Sequence, residues 1–277
     1  MKMQNGKYKF QNVLRCTPSA FVCFVLFMFA ASQAHAADLL SEPKGTAMTK
    51  DEIKAKISEK DVAPSAEAIA RKEKSIAKLK GKNVPTIQHL PVIEDSQTAK
   101  LRTKEEIAHR AIALCIVSVK GEGLEQATID NLVKRFGAQN YFSPAEQKFI
   151  ENPNPTQKER VQFSWRYEDY WIMLWALGYV ESLDFPDKAC DVAKAVTFLK
   201  GNTTEGFIAK AKLRDSSEIL DEADLIYRYD WSVVNARVKK QDAPAGLDGG
   251  VVTERHYALN WLIGYMNQAW DDVTPDT

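Results

Sequence analysis

The sequence predicts a mainly α protein: a single compact multi-helix domain with at most one short extended segment, near residues 84–93. Three observations carry this. Ser/Thr-x-x-Glu capping boxes recur at Thr103–Glu106, Ser143–Glu146 and Thr156–Glu159, each ahead of an apolar pattern of helical period. Alternating apolar and polar runs of strand type are scarce. No self-similarity appears at the periods of solenoid repeats. A chain of 277 residues, 45% hydrophobic and 27% charged, is long enough to bury one good-sized core.

The first 36 residues read as a secretory signal rather than as fold. Lys2, Lys7, Lys9 and Arg15 form a basic segment without acids, and an apolar run from Ala20 to Ala31 follows. That run is shorter than the ~20 residues a spanning helix needs. Ala34-His35-Ala36 is a small-x-small cleavage site, so cleavage is expected after Ala36. The expected location is periplasmic or secreted, with no stable membrane insertion after cleavage. Removing four basic residues and no acid leaves 33 basic against 37 acidic residues, a net charge of −4. That balance argues against nucleic acid as a partner.

Residues 37–67 are a Lys/Glu-rich leader, expected to be partly mobile. A Thr49–Glu52 capping box opens a short helix that Pro64 ends. The helical domain then runs over 68–277. Ser65 to Lys80 is its first helical pattern, with Ile69, Ile76 and Leu79 on one face and Gly81 as its C-cap. Pro85 and Pro91 mark the extended stretch, where His89 reads as a surface residue. The Thr103 box opens a buried helix to Val119, which Gly121 and Gly123 break. Helices from Leu124 to Phe136 and from Ser143 to about Asn152 follow.

Thr156 opens a long helix to about Leu183, with Val161, Trp165, Ile172, Trp175 and Tyr179 on one stripe and Glu168 inside it. Lys188 to Leu199 is another helix. Ser216 to Lys240 is long, with Asp215–Glu218 as a capping-box variant. Its apolar face carries Asp230 and Arg237, and a second stripe gathers Asp221, Asp224, Arg228, Trp231 and Asn235. An Asp224–Arg228 pair is worth a few tenths of a kcal/mol if exposed, about the usual i,i+4 contribution. That stripe is either solvated or docked on another charged segment. The last helix follows a Pro244–Gly250 loop with Asp248 as cap. Its main face runs through Val252, Leu259, Ile263, Met266 and Trp270, with His256 in the middle and Asn260 beside it.

Glu168, Asp230, Arg237 and His256 are therefore polar groups on apolar faces. An unpaired buried charge costs several kcal/mol by order of magnitude, so these groups are expected to meet partners, in part each other. One reading is a buried polar network joining three helices. The other is a carboxylate–histidine pair, Glu168 or Asp230 with His256, doing acid/base work. No HExxH, CxxC, GxSxG or phosphate-loop motif is present, so no metal and no cofactor is expected. Cys16 and Cys23 leave with the signal. Cys115 and Cys190 remain, in the apolar contexts IALCIV and KACDVA, and read either as a disulfide or as two buried hydrophobes.

Several stretches together resemble one family. They are ARKEKSIAKLKGKNVPTIQHLPVI, LRTKEEIAHRAIAL, WRYEDYWIMLWALGYVESL, EILDEADLIYRYDW, GLDGGVVTERHYALNWLIGY and WDDVTPDT. In order and spacing they resemble the bacterial domain-of-unknown-function family DUF4272, over about residues 68–277. The family's motif positions here include Glu168, Trp175, Glu218, Asp221, Asp224, Arg228, Trp231, Arg237, Asp248, Glu254, Arg255, His256, Asn260, Trp261, Trp270 and Asp271. The resemblance implies no named activity and no catalytic residue, and the export signal departs from it. The expected function is an exported helical module that binds a protein or small ligand without catalysis. A hydrolase-like enzyme and a structural envelope protein are the alternatives.

Overall fold

The computed structural model describes residues 63–277. The signal, its cleavage site and the short helix expected after Thr49 lie outside the described residues. Within them the protein is mainly helical, with no strand. The helices in order are α1 (Ala66–Gly81), α2 (Lys104–Gly121), α3 (Gln126–Phe136), α4 (Pro144–Glu151) and α5 (Gln157–Ser164). Then come α6 (Arg166–Ala176), α7 (Val192–Thr197), α8 (Thr204–Lys210), α9 (Ser216–Val238) and α10 (Gly249–Leu262).

The three capping boxes form as their spacing requires. Thr103, Ser143 and Thr156 each accept the backbone N–H three residues on, and Glu106, Glu146 and Glu159 each accept the cap's own N–H. Past its box, α2 is apolar nearly all round, and Ile107, Ile112, Leu114, Ile116 and Val117 are sealed. Each such side chain contributes roughly 1.5–3 kcal/mol by leaving water. A helix of that kind belongs at the centre. It packs mainly on α5 and α6, while α10 packs on α9 and α6, and α9 also packs on α1.

Two helices expected to be long are shorter. The 156–183 pattern is broken at Trp165 and stops at Ala176. At the break, the Ser164 hydroxyl donates to the Val161 carbonyl at 2.8 Å, a back-bond that bends helices. Gly121 of α2 lies against the same turn: a Cβ there would come within 2.7 Å of the Ser164 nitrogen. The stop is a left-handed Gly178, φ +75°, with Tyr179 N–H donating to the Leu174 carbonyl at 2.9 Å. The final helix likewise ends at Leu262 rather than Trp270, through left-handed Gly264 at φ +67°. Met266 and Trp270 therefore sit beyond α10, in two short 3₁₀ turns.

Smaller expectations also shift. The buried face of α1 is Ala68, Arg71, Ser75 and Leu79, whereas Ile69 is exposed. Asn83, not Gly81, takes the left-handed position after α1, and Val84 N–H closes the turn on the Leu79 carbonyl. Asp215 makes no side-chain capping bond; Glu218 pairs with Arg214 instead. The helix expected over 188–199 spans only Val192–Thr197, and α8 has no counterpart in the sequence reading. The stretch near 84–93 is non-helical without being a strand, and is pinned from outside. Lys72 donates to the Gln88 and Leu90 carbonyls, and Arg228 donates to that of Pro91.

Candidate functional site: ion pairs at the junction of α6, α9 and α10

Asp248 caps α10, accepting from Gly250 and Val251 N–H. A Cβ at Gly250 would meet the Trp165 ring at 2.7 Å, so this glycine allows the close approach of α10 to the start of α6. Successive helical residues point about 100° apart. Glu254, Arg255 and His256 thus leave α10 in three directions, and each meets a different partner.

His256 Nδ1 lies 3.0 Å from Asp230 Oδ2 on α9, and both side chains are 2% exposed. The Tyr227 ring flanks the imidazole at 5.9 Å. Glu168 is not paired with His256. Its Oε2 accepts from Arg255 Nε at 3.2 Å, and its Oε1 accepts the Cys190 backbone N–H. Arg255 spends another donor on the Asp184 carbonyl at 2.7 Å. Burial raises the Glu168 carboxyl above the usual carboxylate range, against the opposing pull of Arg255 and the Cys190 N–H.

Arg237 belongs to neither pair. It lies in the exposed last turn of α9, so the stripe that joined it to Asp230 leaves the core before reaching it. The second stripe is docked, not solvated. Asp221 accepts from Arg71 and Lys74 of α1. Asp224 and Arg228 form a two-pronged pair at 2.9 and 2.7 Å with no exposed side-chain surface. Of the two alternatives the sequence left open for this i,i+4 pair, the desolvated one holds, and there loss of either partner is far more costly than at a surface. Trp231 is half-buried.

Three charged residues that the sequence does not single out, Arg110, Arg166 and Asp169, complete the junction. Arg166 Nη1 donates both to Asp169 Oδ2 at 3.1 Å and to Glu254 Oε2 at 2.8 Å. Arg110 of α2 pairs with Glu146 of α4. Burial, and next the adjacent Glu254 charge, hold the Asp169 carboxyl well above the usual range. Trp270 lies over this cluster: the Arg110 guanidinium is 4.7 Å and the Arg166 guanidinium 5.8 Å from the indole. Capping boxes explain Glu146, but no spacing within one helix points Arg110 to it across 36 residues. Burial also pushes the Glu122 carboxyl, at the end of α2, up to about 7.

Cys115 and Cys190 are both free thiols, each in its own surroundings rather than bridged. Cys190 Sγ lies 3.5 Å from the Tyr167 carbonyl, and burial pushes the Cys115 thiol up to about 12. A buried thiol kept protonated is a poor nucleophile. Among the described residues no group of three His, Cys, Asp or Glu side chains is arranged to hold a metal ion. An open depression of about 650 Å³ lies elsewhere, between α3 and α4, lined by Gln126, Asp130, Val133, Gln147 and Ile150 among others. None of the residues singled out in the sequence lines it.

Chemically, the junction consists of donor–acceptor pairs in which Glu168, Asp169, Asp230 and His256 lie inside the packed core and Glu254 is partly exposed. Among the described residues, no helix is long and apolar enough to cross a membrane. Comparison with curated proteins gives no match, and comparison with solved structures gives none either. A family model described as "Domain of unknown function (DUF4272)" matches residues 71–273. That span takes in every ion pair of the junction except the Glu67 contact to Arg71, and the chain belongs to the DUF4272 family.

Proposed function

We propose that this protein is an exported, non-catalytic helical module that binds another protein or a small ligand, and that its buried polar residues serve as scaffold. One observation carries the reading. Glu168, Asp230 and His256, the three residues that the sequence singles out for acid/base chemistry, are 0%, 2% and 1% exposed, and each is bonded to a partner. A general base has to reach the proton it takes, within a hydrogen bond or through one water. These groups face each other and the core instead. The export part of the proposal rests on the pattern of residues 1–36.

Turnover assays on the purified chain from Ala37 onward test it, using generic chromogenic carboxyl-ester, phosphate-ester and peptide substrates. The expected result is no hydrolysis that depends on His256 or Glu168, together with a lower melting temperature for His256→Ala. Turnover by the parent chain that disappears in a fully folded His256→Asn variant would overturn the reading.

A further inference from the structure

Beyond α10 the chain forms a strap, residues 265–274, that lies across the junction, and the body holds it as a groove holds a peptide. Three side chains of the body donate to strap carbonyls. Arg102 reaches Gln268 at 2.9 Å, Tyr257 reaches Trp270, and Asn260 reaches Thr274 at 3.0 Å. The strap's own side chains make two further contacts. Trp270, 5% exposed, is faced by the guanidiniums of Arg110 and Arg166 and met edge-on by Tyr257 and Trp261 at 5.0 and 5.5 Å. Asp271 accepts the Ala145 N–H in the first turn of α4 at 2.9 Å. Main-chain bonds supply affinity, and a deep aromatic anchor beside arginines supplies specificity, which is the usual division of labour in peptide recognition.

Two features mark this contact as exchangeable. Arg110 Nε and Arg166 Nε, in the guanidiniums that face the indole, have no hydrogen-bond partner among the described residues. And the strap leaves α10 through strained backbone. Gly264, Met266 and Asn267 are all left-handed, at φ +67°, +52° and +53°. Outside glycine that conformation is uncommon and stores strain that release of the strap would relieve.

We infer that the strap is an internal occupant of a peptide-binding groove, and that the groove's external ligand is a polypeptide segment presenting a flat aromatic side chain followed directly by a carboxylate. The aromatic group packs against the guanidiniums of Arg110 and Arg166, and the carboxylate takes the Ala145 N–H. The inference rests on the binding-module reading and names its ligand. Self-occupancy lowers the apparent affinity for any external segment by the fraction of time the groove is open.

The test uses the full mature chain and a synthetic peptide of residues 268–277, QAWDDVTPDT. In the chain carrying Trp270→Ala the groove loses its anchor. It is expected to bind this peptide at least about tenfold more tightly than the parent chain does, as removal of a competing occupant requires. A peptide with alanine in place of the tryptophan should not bind. In the parent chain, excess peptide should raise hydrogen exchange across residues 265–274. Should Trp270→Ala fail to fold, Trp270→Leu, which fills volume without presenting a flat aromatic face, takes its place with the same expectation. A folded variant that does not capture the peptide, or that captures the alanine peptide equally well, overturns the inference. Hydrolytic turnover by the parent chain would refute the non-catalytic reading while leaving peptide capture intact, so the two failures are distinguishable.

Discussion

Replacing Arg255 with glutamine should destabilise the protein by an amount that grows with pH. The guanidinium is 4% exposed and bonds Glu168, which is 0% exposed, so the variant strands a carboxyl inside the core. Removing one member of a buried pair costs about 3–5 kcal/mol. For a domain of this size each kcal/mol lowers the melting temperature by roughly 2–4 °C, so the expected drop is roughly 6–20 °C near neutral pH. The sign of the pH effect follows from proton linkage. Burial already raises Glu168 above its unfolded value, and losing Arg255, which opposes that rise, lifts it further. The native variant then binds more protons than the unfolded chain over a wider window. Stability falls as pH rises from the ordinary carboxylate range to the raised native value. At the acidic end both states are protonated and the deficit is smallest. Thermal melts followed by circular dichroism, from about pH 4 to about pH 8, read this directly. Glu168→Gln is the control: it strands Arg255 at similar cost, without a carboxyl to titrate. A deficit below about 1 kcal/mol, or one flat across the pH range, would show that the pair is solvent-screened and that the sealed junction is misassigned.

Asp169→Asn should be nearly silent near neutral pH, within about 1 kcal/mol. Burial and Glu254 already favour the protonated carboxyl, which an amide mimics in shape. Urea unfolding on the alkaline side should show the variant gaining on the parent chain, because it avoids the charge the parent must bury; the opposite trend would mean the carboxylate is the preferred native form. Ellman titration of the unfolded, unreduced mature chain should report two thiols, while the native chain should show no fast-reacting thiolate at Cys115. Finding none after unfolding would establish the disulfide that the structure does not contain.

What could be read in the sequence was local, and what could not was long-range. Capping boxes at Thr103, Ser143 and Thr156 place helix starts because the bonds they predict span three residues. Both over-extended helices fail at one kind of residue. Gly178 and Gly264 sit in apolar runs whose period continues past them, so the pattern gives no sign of a stop. Each is left-handed with another segment's backbone where a Cβ would be: the Lys212 carbonyl at 2.6 Å and the Lys100 carbonyl at 2.4 Å. A glycine selected by contact with a segment 34 or 164 residues away carries that information only once the chain has folded. Arg237 fails for a related reason. Helical phase predicts which side of α9 it occupies but not how far along the helix burial extends: Ala236 is still buried, and every residue from Arg237 to the end of α9 is exposed.

The junction shows why so many charges sit on apolar faces. Glu254 reaches the start of α6 through Arg166, Arg255 reaches the same first turn through Glu168, and His256 reaches α9 through Asp230. A purely apolar α10 would pack acceptably in several rotations, since hydrophobic burial is not directional. Three polar contacts from consecutive positions admit one. Turning α10 by a single residue, or sliding it by one helical turn, would strand several buried charges at a cost of several kcal/mol by order of magnitude, more than repacking of aliphatic side chains is able to return. The same registration fixes Tyr257 and Asn260, one position and one turn further on, under the strap they hold. The sealed pairs therefore do not compete with a binding role: by fixing the rotation of α10 they set the shape of the groove that Trp270 occupies.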